Sequence, residues 1–442
     1  MSKLFASFPP TSKHDWLELL QKELKGESMD KLQKFNRIEE ISMPAYLHRE
    51  DRPQAFSDPG LLPYTRGSRS ENNDWHIGSC FRIENEETNN KQLLDALMAG
   101  TTALVIHAAS DNDIDFAALF RGVDLQYIHT TFYPRSAAQS TAFLSFLGNN
   151  PGAVVTENTS GWLDCANQCT SLAVKPFAVQ ANLVQQSGGT TWQELAVALA
   201  EGHDLLVNQL ERGLSIDDAS ANIHFIFGIG NQYFYEISKL RAFRTAWARI
   251  VSEYAPEHEC SHAAFITAQT GFVNTSLKDP YTNILRQTTE AMSAVVGGVQ
   301  QLVVQPYDWH ASNPNREFTQ RMATNISLVL KEESYLDKVI DPSGGSYAID
   351  DLTNAIAERA WTSFQWIEAN GGLTNATVVE TLSAEISEKA QQRITAVREK
   401  KSTLIGINAF MNPDPVQHEW HSQPSGWKTV PALIIENEIS LS

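Results

Sequence analysis

Cysteine is scarce in this chain: four in 442 residues, at positions 80, 165, 169 and 260. That is too few for a disulfide framework in a protein of this size, and it suits a reducing, cytoplasmic compartment. Cys165 and Cys169 are spaced to share a helix face, but no further ligands stand near them, so no metal site is expected there. Long apolar runs are absent too. No stretch approaches the ~20 residues that a membrane span needs, and the opening "MSKLFASFPPTSKHDW" has no apolar segment before a small-residue cleavage site. Basic residues are the minority, 34 Lys and Arg against 52 Asp and Glu, for a net charge of -18. Such a chain has no electrostatic footprint for nucleic acid, though a local basic pocket for a small anion stays open.

What is present is a hydrophobic fraction of 42%, enough to fill one large domain or two smaller ones. Residues 14 to 36 open with helical apolar spacing at Trp16, Leu19, Leu20 and Leu24, stop at Gly26, and predict a second short helix at 29 to 35. The Pro-, Gly- and Ser-rich stretch 53 to 75 reads as a long ordered loop. Eight short β-like runs follow at 76–81, 102–108, 125–132, 152–157, 175–182, 222–228, 262–269 and 300–306, with helical patterns between several of them. That alternation predicts an α/β fold, a (β/α)8 TIM barrel rather than an open doubly wound sheet. The resulting organisation is an N-terminal helical extension and loop at 1–74, a barrel at 75–400, and a C-terminal linker or wrapping arm at 401–442 whose tail from about 408 shows no helix of its own.

Three local motifs invite chemical readings that their contexts weaken. "GIGNQY" at 228 to 233 follows a strand and opens a helix, but Tyr233 stands where a dinucleotide loop needs its third glycine, so a tight barrel turn is expected. "EHECSH" at 257 to 262 offers His258, Cys260 and His262 without a fourth zinc ligand. Arg241, Arg244 and Arg249 share a broad helix face and suit an intramolecular network as well as an anion site.

Two stretches carry a resemblance: "FGIGNQYFYEISKLRAFRTAWARI" at 227 to 250, and the segment 316 to 372 that contains "DPSGGSY". Both resemble the catalytic-barrel chains of the methylmalonyl-CoA mutase family, and "GLLPYTRG" at 60, "AQTGF" at 268, "EAM" at 290 and "IGINAF" at 405 fall in that family's order. The start, "FPPTSKHDWLELLQKELKG", looks most like the family's small subunit. The resemblance implies a barrel holding acyl-CoA along its axis and a separate adenosylcobalamin-binding domain, which together isomerise methylmalonyl-CoA and succinyl-CoA through radicals that the cofactor supplies.

The family's site residues are degenerate here. Its H-x-x-E-x-G pattern after the fifth strand aligns with Leu183, Gln186 and Gly188; leucine neither donates nor accepts a hydrogen bond. A first-strand tyrosine becomes Cys80 and a nearby arginine Gly78, and the seventh strand's R-x-H-x-Q reads Phe265, Thr267 and Gln269. Gln186, Gln269 and Gln300 are the candidates for a residual substrate channel, with Gln301 a bulkier side chain than the family carries after Gln300. Loss at several strand ends argues against catalysis, since each missing polar group costs on the order of 10² in rate. The lower cobalt ligand sits in a D-x-H-x-x-G motif beyond this chain; "DWHASN" at 308 to 313 lacks its glycine, so His310 is expected to be an ordinary loop residue and the chain by itself to bind no cobalamin and no metal.

The expectation is therefore a non-catalytic small subunit pairing with a homologous catalytic subunit as a heterodimer, adenosylcobalamin entering the complex through that partner, with no role for nucleic acid or membrane. The alternatives are an active acyl-CoA mutase of altered specificity, using a cobalamin domain on a separate chain, and a free-standing acyl-CoA-binding protein. Both require an open channel past Leu183, Phe265 and Thr267.

Overall fold

Alternation inside the short apolar runs decides which side chains enter the middle of the molecule. In "IHFIFGI", Ile223, Phe225, Phe227 and Ile229 join the large outer core, while Ile226 joins a separate small cluster. In "ALVIHA", Leu104 and Ile106 face the outer core and Val105 lies in another inner cluster. Successive side chains of a strand point to opposite faces, so each run presents one apolar row to the helices and a mixed row to the interior.

The computed structural model describes residues 8, 11–44, 46–51, 56–155, 173–312, 314–415, 419–420 and 424–440; Cys165 and Cys169 lie outside the described residues. Eight parallel strands close into a barrel: β1 (His76–Ile83), β2 (Ala103–Ala108), β3 (His129–Tyr133), β4 (Gly152–Val155), β5 (Val174–Gln180), β6 (Ile223–Ile229), β7 (Phe265–Thr270) and β8 (Gln301–Val303). Each pairs with its neighbour in sequence, and β8 closes on β1 through Gln301↔His76. The (β/α)8 barrel read from the sequence is the fold, and all eight strands fall within the expected runs to a few residues. Among the described residues no helix is long and apolar enough to cross a membrane.

The expected helix at 29–35 is not formed. Met29–Leu32 is a 3-10 turn, and Lys34–Asn36 pairs antiparallel with Ile41–Met43. Long-range anchoring overrides the local helical pattern: buried Glu39, between those strands, accepts from the Thr191 amide at 2.9 Å and hydroxyl at 2.7 Å, and its carbonyl accepts from the Trp192 indole at 3.1 Å. The tail also differs from its reading. It carries a helix, Ile435–Ser440, and Trp427, Val430 and Leu433 are buried. Leu433 donates to the Gln186 carbonyl at 2.7 Å, and Ser187 exchanges hydrogen bonds with Trp427 and Val430. The tail thus lies over the C-terminal side of the barrel, tied to the chain that leaves β5.

The family-like segments meet in one buried clamp. Arg241, on helix Tyr233–Ser252, pairs with Asp341 of "DPSGGSY" and with Asp350 at 2.7 Å, while Arg66 of "GLLPYTRG" reaches the other Asp341 oxygen at 2.8 Å. Gly344 is required by crowding, because a Cβ there would lie 2.6 Å from Arg66 Nη2. Arg244 spends its guanidinium on the carbonyls of Tyr64, Thr65 and Gly297. These arginines are an intramolecular network.

Candidate functional site

Barrel enzymes place their chemistry where the strands end and the following loops begin. At that end of this barrel the axis is closed by side chains in mutual contact. Cys80 of β1, Val105 of β2 and Val303 of β8 pack with Phe272, from the loop after β7, and Trp309, from the loop after β8. Val155, Ala178 and Ile226 form an adjoining cluster from β4, β5 and β6, and Tyr133 of β3 packs against both groups. His107 stacks on Tyr133 at 4.2 Å, the guanidiniums of Arg82 and Arg316 lie 5.5 and 4.8 Å from the Trp309 ring centre, and Trp420 from the tail completes the cover. Burial pushes the Cys80 thiol up to about 12 and His107 down to about 3, so these two groups are neutral.

The opposite end carries a second set. His76 and His129 stack at 5.9 Å, His129 stacks on Phe265 at 4.9 Å, and His224 donates to or accepts from the Thr267 hydroxyl at 2.7 Å. Desolvation holds His129 near 3 and His224 well below its ordinary value.

The residues singled out from the sequence are therefore scattered. Cys80 is in the apolar closure, whereas Phe265 and Thr267 stand toward the start of β7 among the histidines. Leu183 sits in the single-turn helix Asn182–Gln186 and packs against the outer core, not the axis. The three glutamines do not converge. Gln269 is buried at the end of β7, and Gln186 is buried under the tail. Gln300 precedes β8, accepting from the Ile266 amide at 2.9 Å and donating to Ser68 at 3.2 Å.

Gln185, two residues past Leu183, was missed. Its side chain crosses the ends of β6 and β7 so closely that a Cβ at Gly228 or at Gly271 would lie 2.7 Å from its Oε1. The glycines at those two strand ends were the available signal, legible only once the strands are known to be neighbours.

Beside the closed axis lies a cavity of about 330 Å³, lined by Glu39, Gln185, Glu194, Glu236, Asn274 and Arg393 among others. Its charges are already committed. Lys239 lies 2.7 Å from Glu194 and 2.5 Å from Glu236, and Arg393 lies 3.5 Å from Glu39. Burial raises Glu194 to about 7 despite Lys239. Two amides of the "GIGNQY" turn are already spent on carboxylates: Gly228 N–H donates to Glu194 and Gly230 N–H to Glu236. In "EHECSH", His262 Nδ1 contacts the Glu259 carbonyl at 2.9 Å, closing a turn. No group of three or more His, Cys, Asp and Glu among the described residues is arranged to hold a metal ion. His310, in the loop after β8, is packed edge-on to Phe272 at 4.8 Å, and burial lowers it to about 4.

Comparison with known proteins follows the same line. The family model described as Methylmalonyl-CoA mutase matches residues 163–426. The chain is 31% identical to the methylmalonyl-CoA mutase small subunit of Porphyromonas gingivalis, over 93% of its own length and 71% of that protein's. It is 30% identical to a methylmalonyl-CoA mutase of Cereibacter sphaeroides, covering 91% of this chain and 65% of the relative. Against the small subunit from Propionibacterium freudenreichii subsp. shermanii the identity is 26%, over 92% and 70%.

Proposed function

The chain belongs to the methylmalonyl-CoA mutase family, and we propose that within it this chain is the non-catalytic small subunit, pairing with a homologous catalytic barrel. One observation carries the reading: Cys80, Val105, Tyr133, Phe272, Val303 and Trp309 fill the axis along which an acyl-CoA would have to lie. Filling that space removes the position from which polar groups could act on a thioester, whatever the rest of the barrel keeps.

Isomerisation of the acyl-CoA is then the partner's work, and adenosylcobalamin enters through the partner; the lack of the family motif's glycine in "DWHASN" around His310 supports that reading. A mutase of altered specificity, or a free-standing acyl-CoA-binding protein, would need an open axis. A subunit freed from catalysis keeps what assembly requires. In keeping with this, helix Lys13–Glu23 has a complete capping box at Ser12 and Asp15 yet buries none of its residues, with Leu19 56% exposed. An amphipathic helix gains most of its stability by covering an apolar face, so a partner surface suits it. We assign 1–74 to an extension that braces the partner, 75–400 to the barrel and 401–442 to the tail, in a cytoplasmic heterodimer.

Sedimentation equilibrium of this chain, alone and mixed with the catalytic subunit of the same source, tests the assignment. A tight one-to-one complex, together with no binding of succinyl-CoA by this chain in equilibrium dialysis, is the expected result. Saturable succinyl-CoA binding without association would overturn it.

A further inference from the structure

The cavity of about 330 Å³ beside the closed axis has room for a small molecule, since small-molecule sites begin at about 300 Å³. It lies at the ends of β6 and β7, between the hairpin that carries Glu39, helix Ala376–Arg398, and the tail at Leu404 and Ile435. Its fixed charges are spent on one another, Lys239 on Glu194 and Glu236, and Arg393 on Glu39. An ionic guest would have to break one of those pairs, which points to a neutral one.

The hydrogen-bonding groups are less committed. Gln185 turns Oε1 against Gly228 and Gly271, but its Nε2 faces Gly230, 3.2 Å from where a Cβ would stand. Residue 230 has no side chain, so the space in front of that nitrogen stays open. Asn274 spends Nδ2 on Glu290 at 3.0 Å, which leaves Oδ1 as an acceptor. Among the described residues, neither Gln185 Nε2 nor Asn274 Oδ1 has a hydrogen-bond partner, and neither is sealed from solvent, whereas Gln185 Oε1 is. Arg393 spends Nε and Nη2 on the carbonyls of Gly188 and Gly189 at 2.9 and 3.0 Å, which leaves Nη1 as a donor on a side chain that is 20% exposed. Ile38, Val273 and Val397 add apolar wall. Donors, an acceptor and apolar surface thus face one space. A hydroxyl both donates and accepts, so a carbon chain bearing several of them satisfies either kind of group while its C–H faces meet the apolar wall.

We propose that this cavity binds a small neutral polyol, whose hydroxyls accept from Gln185 Nε2 and Arg393 Nη1 and donate to Asn274 Oδ1. The site uses no group of the filled axis, so it stands whether or not the chain pairs with a catalytic subunit.

The test titrates xylitol into the full chain, read by saturation-transfer NMR, and soaks a crystal in the same compound. Saturable binding with a Kd on the order of 1 mM is expected, with density between Gln185 and Asn274. No binding is expected of 1,5-pentanediol, which keeps the carbon chain and its terminal hydroxyls but lacks the inner ones. Gln185→Met keeps the length of the side chain, removes the donor and weakens binding about fivefold. Ser402→Trp, at an exposed position of the cavity wall, fills the space without touching the core and abolishes binding; it decides the matter should Gln185→Met fail to fold. Equal binding of 1,5-pentanediol, unchanged binding by Ser402→Trp, density only outside the cavity, or no saturation at tens of millimolar would overturn the proposal.

Discussion

Arg241 and Asp341 face each other 100 residues apart in sequence with essentially no water between them, their side chains 0% and 4% exposed. The aspartate opens the stretch that most specifically carries the family resemblance, and its partners are Arg241 and Arg66, remote from the barrel mouth. The motif's work here is to fasten helix Tyr233–Ser252 to the chain leading into helix Tyr347–Ala369.

Replacing Asp341 by Ala leaves the Arg241 charge buried with Asp350 as its only remaining carboxylate. Breaking a buried pair from one side costs about 3–5 kcal/mol, and Asp350 keeps the loss toward the lower figure. Urea unfolding followed by circular dichroism reads it; a loss below about 1 kcal/mol would show that the clamp is solvated.

Gly188 tests how the tail is held. Its φ is +86°, and an added Cβ would lie 2.8 Å from Leu433 Cδ2 and 2.9 Å from Ala390 Cβ. Gly188→Ala should cost roughly 2–4 kcal/mol, from left-handed strain plus overpacking, and expose the segment around Trp427 to proteolysis. Gly345→Ala, at φ +88° with nothing within 4 Å, bears the strain alone and serves as its control. Equal losses in the two variants would mean that the tail is not seated on Gly188.

The pH dependence of stability has opposing contributions. His107 and His129 are lowered from 6.5 to about 3 and His310 to about 4, each chiefly by burial, so the unfolded chain binds protons first and stability falls with pH below about 6.5. Glu194 and Glu290, raised from 4.5 to about 7, and Asp204, raised from 3.8 to about 6, again by burial, bind protons first in the folded state. They add stability as pH falls from 7 toward their unfolded values. Each group contributes roughly 1.4 kcal/mol per pH unit inside its window. Urea midpoints should stay nearly level from pH 7 to 5, then drop steeply below about 4.5, where only the histidine contribution and the remaining carboxylates change. A steady decline beginning at pH 6.5 would contradict the burial of those acids.

Leu183→His restores the side chain that the family resemblance asks for. No conversion of methylmalonyl-CoA is expected with adenosylcobalamin supplied, because residue 183 packs against the outer core and the axis stays filled. Detectable succinyl-CoA in a chromatographic assay would sink the closed-axis reading.

The barrel was legible in the sequence because strands and helices leave local traces. Eight apolar runs with helical spacing between them suffice, since burial of one face per element is a property of neighbours in the chain. The identities of Cys80, Leu183, Phe265 and Thr267 were equally legible. What surrounds them was not. Whether Tyr133, Phe272 and Trp309 line a channel or fill it depends on how strands far apart in sequence face one another across the axis. The same holds for Glu39, whose anchor at Thr191 turned an expected helix into a hairpin. It holds as well for the tail, whose loop-like composition hides the burial of Trp427 and Leu433. Sequence alone thus determined the elements and the residues available at the strand ends. Tertiary structure decided which side chains met, because packing and desolvation act between residues that only the closed barrel brings together.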